Sequence, residues 1–291
     1  MITDVGVVGA GTMGVGVSQA FAAGGLRVTL VDVAESVLDT ARARIELDAR
    51  MATLLGGPAT DGMLDRIVFT TDLTALSTAG FVVENVTENP ELKAGVYRDL
   101  DAICQPDCVF GVNTSAIPIT RIAGHTNRPD RVIGTHFMNP AQLKPMVEVI
   151  RAFHTSQETI DATVGLLAAI GKETVVVGDS PGFVTNRVAM LTVNEAICLL
   201  EEGVASAAEI DRLFVRCFGH RMGPLATADL IGLDTVLYSL DVLLDNFNDP
   251  KFRPAQLLRR YVDAGLLGRK SGRGFFTYTD TPAPLGAGTP A

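Results

Sequence analysis

The segment "VGVVGAGTMG", residues 5–14, sets an apolar β-branched run directly against three glycines spaced G-x-G-x-x-G. The run reads as a strand covered on both faces, and residues 15–24 read as the helix that follows. Gly9 permits the tight turn, Gly11 lets the backbone approach a ligand, and Gly14 lets the helix pack close to the sheet. The helix start then presents N–H groups without intrahelical partners to a negative charge. The next such run, "VTLVDV" (28–33), carries Asp32, eighteen residues past Gly14. A carboxylate there accepts hydrogen bonds from ribose hydroxyls and repels a 2′-phosphate. The pattern predicts NAD binding, in preference to NADP, at Gly9, Gly11, Thr12, Met13, Gly14 and Asp32. The alternative is that the glycines only form a turn.

Five further runs continue the series: "FVVENV" (81–86), "CVFGVNTS" (108–115), "VIGTHF" (132–137), "MVEVI" (146–150) and "ETVVVG" (173–178). Helix-like stretches lie between them. One is 156–170, with Ile160, Val164 and Leu167 on one face, Thr155 and Glu158 as a capping box, and Gly171 as C-cap. The alternation predicts an α/β fold with a parallel, doubly wound Rossmann-type sheet. Residues 34–66 put Leu38, Ala41, Ile45 and Ala49 at helical spacing before "GGP" breaks the run, which predicts an inserted helix pair. After "DSPGFVTNR" (179–187) the strand signals stop. "VAMLTVNEAICLLEEG", "SAAEIDRLFVRCFG" with a Ser206–Glu209 capping box, "GLDTVLYSLDVLLDNF" and "PAQLLRRYVDAG" all have helical periodicity. The expected organisation is a nucleotide-binding domain over 1–181, a helical substrate and dimerisation domain over 182–278, and a disordered Pro/Gly/Thr-rich tail over 279–291.

A chain of 291 residues suits two domains, and 24 basic against 33 acidic residues leave a net charge of −9. That balance argues against nucleic-acid binding, which needs Lys and Arg on phosphates. Four scattered cysteines lack metal-knuckle or redox spacing, so buried free thiols are expected and no metal site. With no signal peptide and no long apolar run, a soluble, cytoplasmic protein is expected.

"THFMNPAQLKPMVEV" (135–149) places one of only four histidines, His136, at the end of an apolar run, with Glu148 twelve residues on. On this stretch alone a surface histidine and a solvated glutamate read equally well.

The wider pattern resembles the 3-hydroxyacyl-CoA dehydrogenases, in particular the bacterial 3-hydroxybutyryl-CoA dehydrogenase type, over residues 1–278. It is carried by "GAGTMG" (9–14), "ENPELK" (88–93), "NTS" (113–115), "HFMNP" (136–140), "VEV" (147–149), "DSPGFVTNR" (179–187), "NEAICLLEEGVAS" (194–206), "MGPLATADLIGLD" (222–234) and "GRKSGRGFF" (268–276). The resemblance implies that His136 takes the proton from the substrate's hydroxyl and that Glu148 orients it. Imidazole suits that task at neutral pH, and a carboxylate on its other nitrogen fixes the tautomer. The two are expected to meet at the carboxyl edge of a parallel sheet. It further implies that Ser115 bonds the substrate's 3-oxygen and that Asn186 holds the thioester carbonyl. Glu88, Lys93, Asn139 and Lys270 match family positions near the cofactor, although Lys93 and Lys270 read equally as solvated charges at helix ends.

The resemblance implies an acyl thioester substrate, on CoA or on an acyl carrier protein, and a homodimer. Relatives that bind CoA carry lysines on the inserted helices, whereas this chain has no lysine before Lys93 and offers Arg42, Arg44 and Arg50. That departure leaves open a hydroxyacyl group on a carrier protein, as in polyketide extender-unit assembly. A non-catalytic NAD-binding protein is the remaining alternative. A 6-phosphogluconate-type dehydrogenase would need a lysine base where this chain has "TNRVAML".

Overall fold

Apolar, β-branched runs build one eight-stranded sheet in the computed structural model, which describes residues 2–54 and 62–278. The strands are β1 (Asp4–Val8), β2 (Arg27–Val31), β3 (Ile67–Thr70), β4 (Phe81–Glu84), β5 (Val109–Val112), β6 (Val132–Phe137), β7 (Met146–Arg151) and β8 (Glu173–Gly178). Their order is β3-β2-β1-β4-β5-β6-β7-β8, so the sheet winds in both directions from a switch point between β1 and β4. The first six strands are parallel. β7 is not: it pairs antiparallel with β6, and β8 then runs parallel to β7. The all-parallel expectation fails here for a steric reason. Only eight residues, 138–145, join β6 to β7. A parallel return needs a crossover of about a dozen or more.

Helices α1 (Thr12–Ala23), α2 (Glu35–Leu54), α3 (Pro90–Ile103), α4 (Ile119–Ala123) and α5 (Gln157–Ala169) complete the first of two compact units, Met1–Ser180. Leu38, Ala41 and Ile45 bury the inner face of α2 against the sheet. The expected break at "GGP" lies outside the described residues. Among the described residues beyond it, a 3-10 turn, Leu64–Arg66, stands where the second helix was expected. That turn leads into β3, a short edge strand in which only Ile67 is buried. Its weak burial pattern explains why no strand was expected there. The cap of α5 also differs: Ser156, not Thr155, accepts from the Thr159 N–H. The Thr155 hydroxyl instead donates to the Val132 carbonyl at 2.6 Å, tying this end of α5 to the start of β6.

The second unit, Pro181–Ala291, is helical: α6 (Thr185–Glu201), α7 (Ala207–Phe218), α8 (Pro224–Ile231), α9 (Leu233–Phe247) and α10 (Gln256–Asp263). The Ser206–Glu209 capping box forms with both of its bonds. α8 has no counterpart among the expected helices, because eight residues behind a proline give little periodicity. Two buried aspartates hold this unit together. Asp211 on α7 accepts from the Leu225 and Ala226 N–H groups at 2.9 and 2.8 Å, capping α8 from a neighbouring helix. Asp229 on α8 accepts from Phe275 N, Phe276 N and the Tyr278 hydroxyl at 2.9–3.0 Å, fastening the segment after α10. Burial pushes the Asp229 carboxyl above its usual range even with these donors. The four cysteines are free, but only Cys104 and Cys108 are buried, and Cys217 is exposed. The tail expected to be disordered lies outside the described residues. No helix among the described residues is long and apolar enough to cross a membrane.

Asp229→Ala leaves three donors without their acceptor, at a cost of roughly 2–4 kcal/mol. A urea titration following circular dichroism should show the unfolding free energy lowered by that amount and the midpoint lowered with it, and an unchanged midpoint would mean the clasp is not stabilising.

Candidate active site

The glycine-rich turn stands at the carboxyl end of β1, beside the switch point. Gly9 has φ +92°, and a Cβ there would lie 2.8 Å from the Asn85 carbonyl oxygen, so only glycine fits. A Cβ on Gly14 would sit 1.7 Å from the Gly9 carbonyl oxygen, which sets how closely α1 approaches β1. At Gly11 a Cβ would meet nothing within 4 Å, so the backbone there faces open space. α1 begins at Thr12, and the first-turn N–H groups of Thr12 and Met13 have no helical acceptor. Asp32 closes the arrangement: its Oδ2 accepts from the Ala10 N–H at 2.7 Å, bracing the turn. A cradle with open backbone, helix-end N–H groups and a carboxylate beside it fits a dinucleotide without a 2′-phosphate.

Farther along the sheet, around β6, three side chains meet. In the antiparallel register His136 of β6 lies directly opposite Glu148 of β7, and both are buried. Glu148 Oε2 is 3.0 Å from His136 Nδ1, and Ser115 Oγ is 3.1 Å from His136 Nε2. His136 sits near the carboxyl end of its strand. Glu148 reaches it from near the beginning of a strand running the other way, not from a second carboxyl edge.

Behind Ser115 lies a connected set of charges. Glu88 accepts from the Thr114 hydroxyl and, at 3.2 Å, from the Ser115 N–H. Lys93 is fully buried, with its ammonium 2.8 and 2.9 Å from the two oxygens of Glu84. It also donates to the Asn113 carbonyl at 3.2 Å and stands 3.8 Å from Glu88. A solvated helix-end charge is therefore the wrong description of Lys93. Burial pushes the Glu84 carboxyl above its usual range, and the Lys93 ammonium partly offsets this. The Asn113 side chain donates to Asn85 Oδ1 at 2.6 Å and accepts from the Phe137 N–H at 3.2 Å, linking the serine loop to the strand of His136. Sequence reasoning did not single out Glu84 or Asn113. Polar residues that close apolar strands, as in "FVVE" and "VFGVN", are the signal that could have marked them.

The first unit thus brings together Ser115, His136, Glu148, Glu88 and Lys93, with the cradle and Asp32 in the same sheet. Asn139 lies on the exposed loop that follows β6. Asn186 and Lys270 belong to the second unit. Asn186 is half-buried in the first turn of α6, and Lys270 pairs with Asp234 at 2.5 Å.

A histidine bonded to a carboxylate stands in a dinucleotide-binding sheet, and the class is an NAD-dependent oxidoreductase. Within that class, the chain belongs to the 3-hydroxyacyl-CoA dehydrogenase family. Residues 4–180 match its NAD binding domain and residues 182–278 match its C-terminal domain. It is 43% identical to a protein of Bacillus subtilis named as a probable 3-hydroxybutyryl-CoA dehydrogenase, over 96% of this chain and 98% of that one. It is 41% identical to the 3-hydroxybutyryl-CoA dehydrogenase of Bradyrhizobium diazoefficiens, over 96% of each chain. The crystal structure of (S)-3-hydroxybutyryl-CoA dehydrogenase from Ralstonia eutropha superposes with a TM-score of 0.92 at 41% identity, over 96% of this chain and all of that one.

Asp32 should make NADH bind at least ~10-fold more tightly than NADPH, a difference of about 1.4 kcal/mol. Asp32→Asn, which keeps an acceptor for Ala10 and removes the charge, should narrow the gap. Fluorescence titration of both nucleotides checks this, and equal affinities in the unsubstituted protein would contradict it.

Proposed function

We propose that the protein interconverts a 3-hydroxyacyl-CoA and its 3-oxoacyl-CoA, with His136 as general base and Glu148 as the carboxylate that orients it. The observation that carries this reading is the pair of contacts through one ring, Glu148 on Nδ1 and Ser115 on Nε2. With its proton on Nδ1, facing the carboxylate, the ring offers Nε2 as an acceptor. The substrate's 3-hydroxyl gives its proton to Nε2, and Glu148 stabilises the imidazolium that results. Bound NAD supplies the hydride acceptor. Ser115 hydrogen-bonds the same 3-oxygen and holds it at the ring. In the reverse direction the imidazolium returns the proton to the oxygen that becomes the hydroxyl. Asn186 is assigned to the thioester carbonyl on the family resemblance alone. Glu88 and Lys93 act from behind the serine loop, while Asn139 and Lys270 are assigned to the cofactor on the family resemblance.

Relatives named for 3-hydroxybutyryl-CoA make a four-carbon acyl group the first substrate to test. The arginines of α2 do not support a docking patch for a carrier protein. Arg42 lies over the Phe69 ring at 4.3 Å, and Arg44 and Arg50 pair with Asp48 and Glu46 on their own helix. We also assign the protein to the cytoplasm as a homodimer. An exposed free Cys217 suits a reducing compartment, and Val188, Val204, Leu213, Phe218 and Leu230 of the helical unit are more than half exposed, an apolar surface for a second copy. A single-chain mass in sedimentation would rule the dimer out.

His136→Gln should lower kcat by ~10²–10⁴-fold while leaving NADH affinity close to that of the unsubstituted protein. Steady-state kinetics with acetoacetyl-CoA test it, and a variant that keeps more than half of kcat with chemistry rate-limiting would show that another group is the base. Matched CoA and pantetheine thioesters should share similar kcat values, with KM differing by no more than ~10-fold, because exposed arginines held in no fixed geometry add little to phosphate binding. A much larger KM advantage for CoA that vanishes when Arg42, Arg44 and Arg50 become alanine would contradict this.

A further inference from the structure

Lys172 is a buried cation outside the site described above. Its backbone is fixed by the end of α5. Gly171, at φ +73°, lets the Gly171 N–H reach the Ala168 carbonyl and the Lys172 N–H reach the Leu167 carbonyl, a Schellman ending with Lys172 as its last member. The following residue is tied as well, with the Glu173 N–H donating to the Pro145 carbonyl at 2.8 Å. From this fixed base the side chain crosses to the connection between β6 and β7. Its ammonium donates to the carbonyls of Ala141, Gln142 and Lys144 at 2.8, 3.3 and 2.7 Å. Three N–H donors meet three carbonyls, which is the full capacity of the group.

Those carbonyls belong to one tight turn, in which the Leu143 and Lys144 N–H groups both donate to the Pro140 carbonyl at 3.0 Å. The turn joins the strand of His136 to the strand of Glu148. Its other side rests on α1, where a Cβ added to Gly16 would lie 2.8 Å from Gln142 Oε1 and 3.2 Å from the Ala141 Cβ. The turn is therefore clamped between a buried cation and the helix of the dinucleotide cradle.

We propose that Lys172 is a positioning residue for the reaction: by holding the 140–144 turn it sets the His136–Glu148 pair in place relative to the cradle. The inference rests on the reading of His136 as the base. Replacing the ammonium with an apolar end takes the shared donor from three carbonyls, the Ala141 one in a buried contact and the Gln142 and Lys144 ones part-buried, and frees the turn to shift. A displacement of about 1 Å at a reacting group costs up to ~10²-fold in rate.

The test uses the full chain and compares Lys172→Met and Lys172→Arg with His136→Gln and with the His136→Gln/Lys172→Met double variant. Arginine keeps the charge but cannot put three bonds on the same three carbonyls, so it carries the test alone should the methionine variant not fold. We expect kcat to fall ~10–100-fold for either Lys172 variant, with KM and NADH Kd within about threefold of the unsubstituted values. In the His136→Gln background the change at Lys172 should cost less than about twofold, because it acts through a group already removed. For the arginine variant alone, the split between kcat and KM decides. A kcat within twofold of the unsubstituted protein, a loss that appears as weaker NADH binding, or the same fold-loss in both backgrounds would overturn the proposal. Failure of the base assignment would look different, as retained activity in His136→Gln itself.

Discussion

The contact between His136 and Glu148 depends on register. Residues directly opposite in an antiparallel pair carry Cβ atoms about 5 Å apart, close enough for imidazole and carboxylate to bond. Their observed contact is 3.0 Å. A slip of one residue in β7 would turn Glu148 to the other face of the sheet and present Val147 or Val149 to the ring. A lone carboxylate buried among the apolar residues of β7 would be costly, and the histidine makes it tolerable. The proposed tautomer rests on the same bond, so the stability of the strand pair and the proposed proton transfer draw on one interaction.

Other features of the first unit serve that pairing from both sides. The eight-residue connection forces β7 to return antiparallel, which brings the glutamate opposite the histidine at all. On the far side of the ring, Ser115 sits on a loop whose position is fixed by Glu88, Thr114 and the Lys93 contact to Asn113. The Glu84–Lys93 ion pair is buried, so its net worth to stability is small, while breaking it would leave a charge uncompensated beneath that loop. Conformational specificity at the serine is the more economical account of it.

Most strands were legible because they lie covered on both faces and therefore read as unbroken β-branched runs. β3 was not, since an edge strand with one buried residue carries almost no pattern. The direction of β7 was hidden by the expectation of a parallel sheet, although the short "MNPAQLKP" connection already contained the answer. His136, Glu148 and Ser115 were legible as a spacing shared with a family, and geometry supplied the reason for the spacing. Glu84, Asn113 and the role of Lys172 were not, because their partners are backbone atoms or residues far away in sequence. Nothing in a one-dimensional pattern marks a lysine as buried. Asn186 and Lys270 were found as motif residues, and their chemistry depends on the second unit.

The most direct test of the account is the tautomer of His136, read from the ring nitrogen shifts of the ¹⁵N-labelled protein at neutral pH. The chain has four histidines, so the signals of His136 can be assigned by their loss in His136→Gln. The account predicts that Nδ1, facing Glu148, carries the ring proton against which Nε2 accepts, and that Glu148→Gln gives a mixture of tautomers. A ring with its proton on Nε2 in the unsubstituted protein, or one indifferent to the change at Glu148, would contradict it.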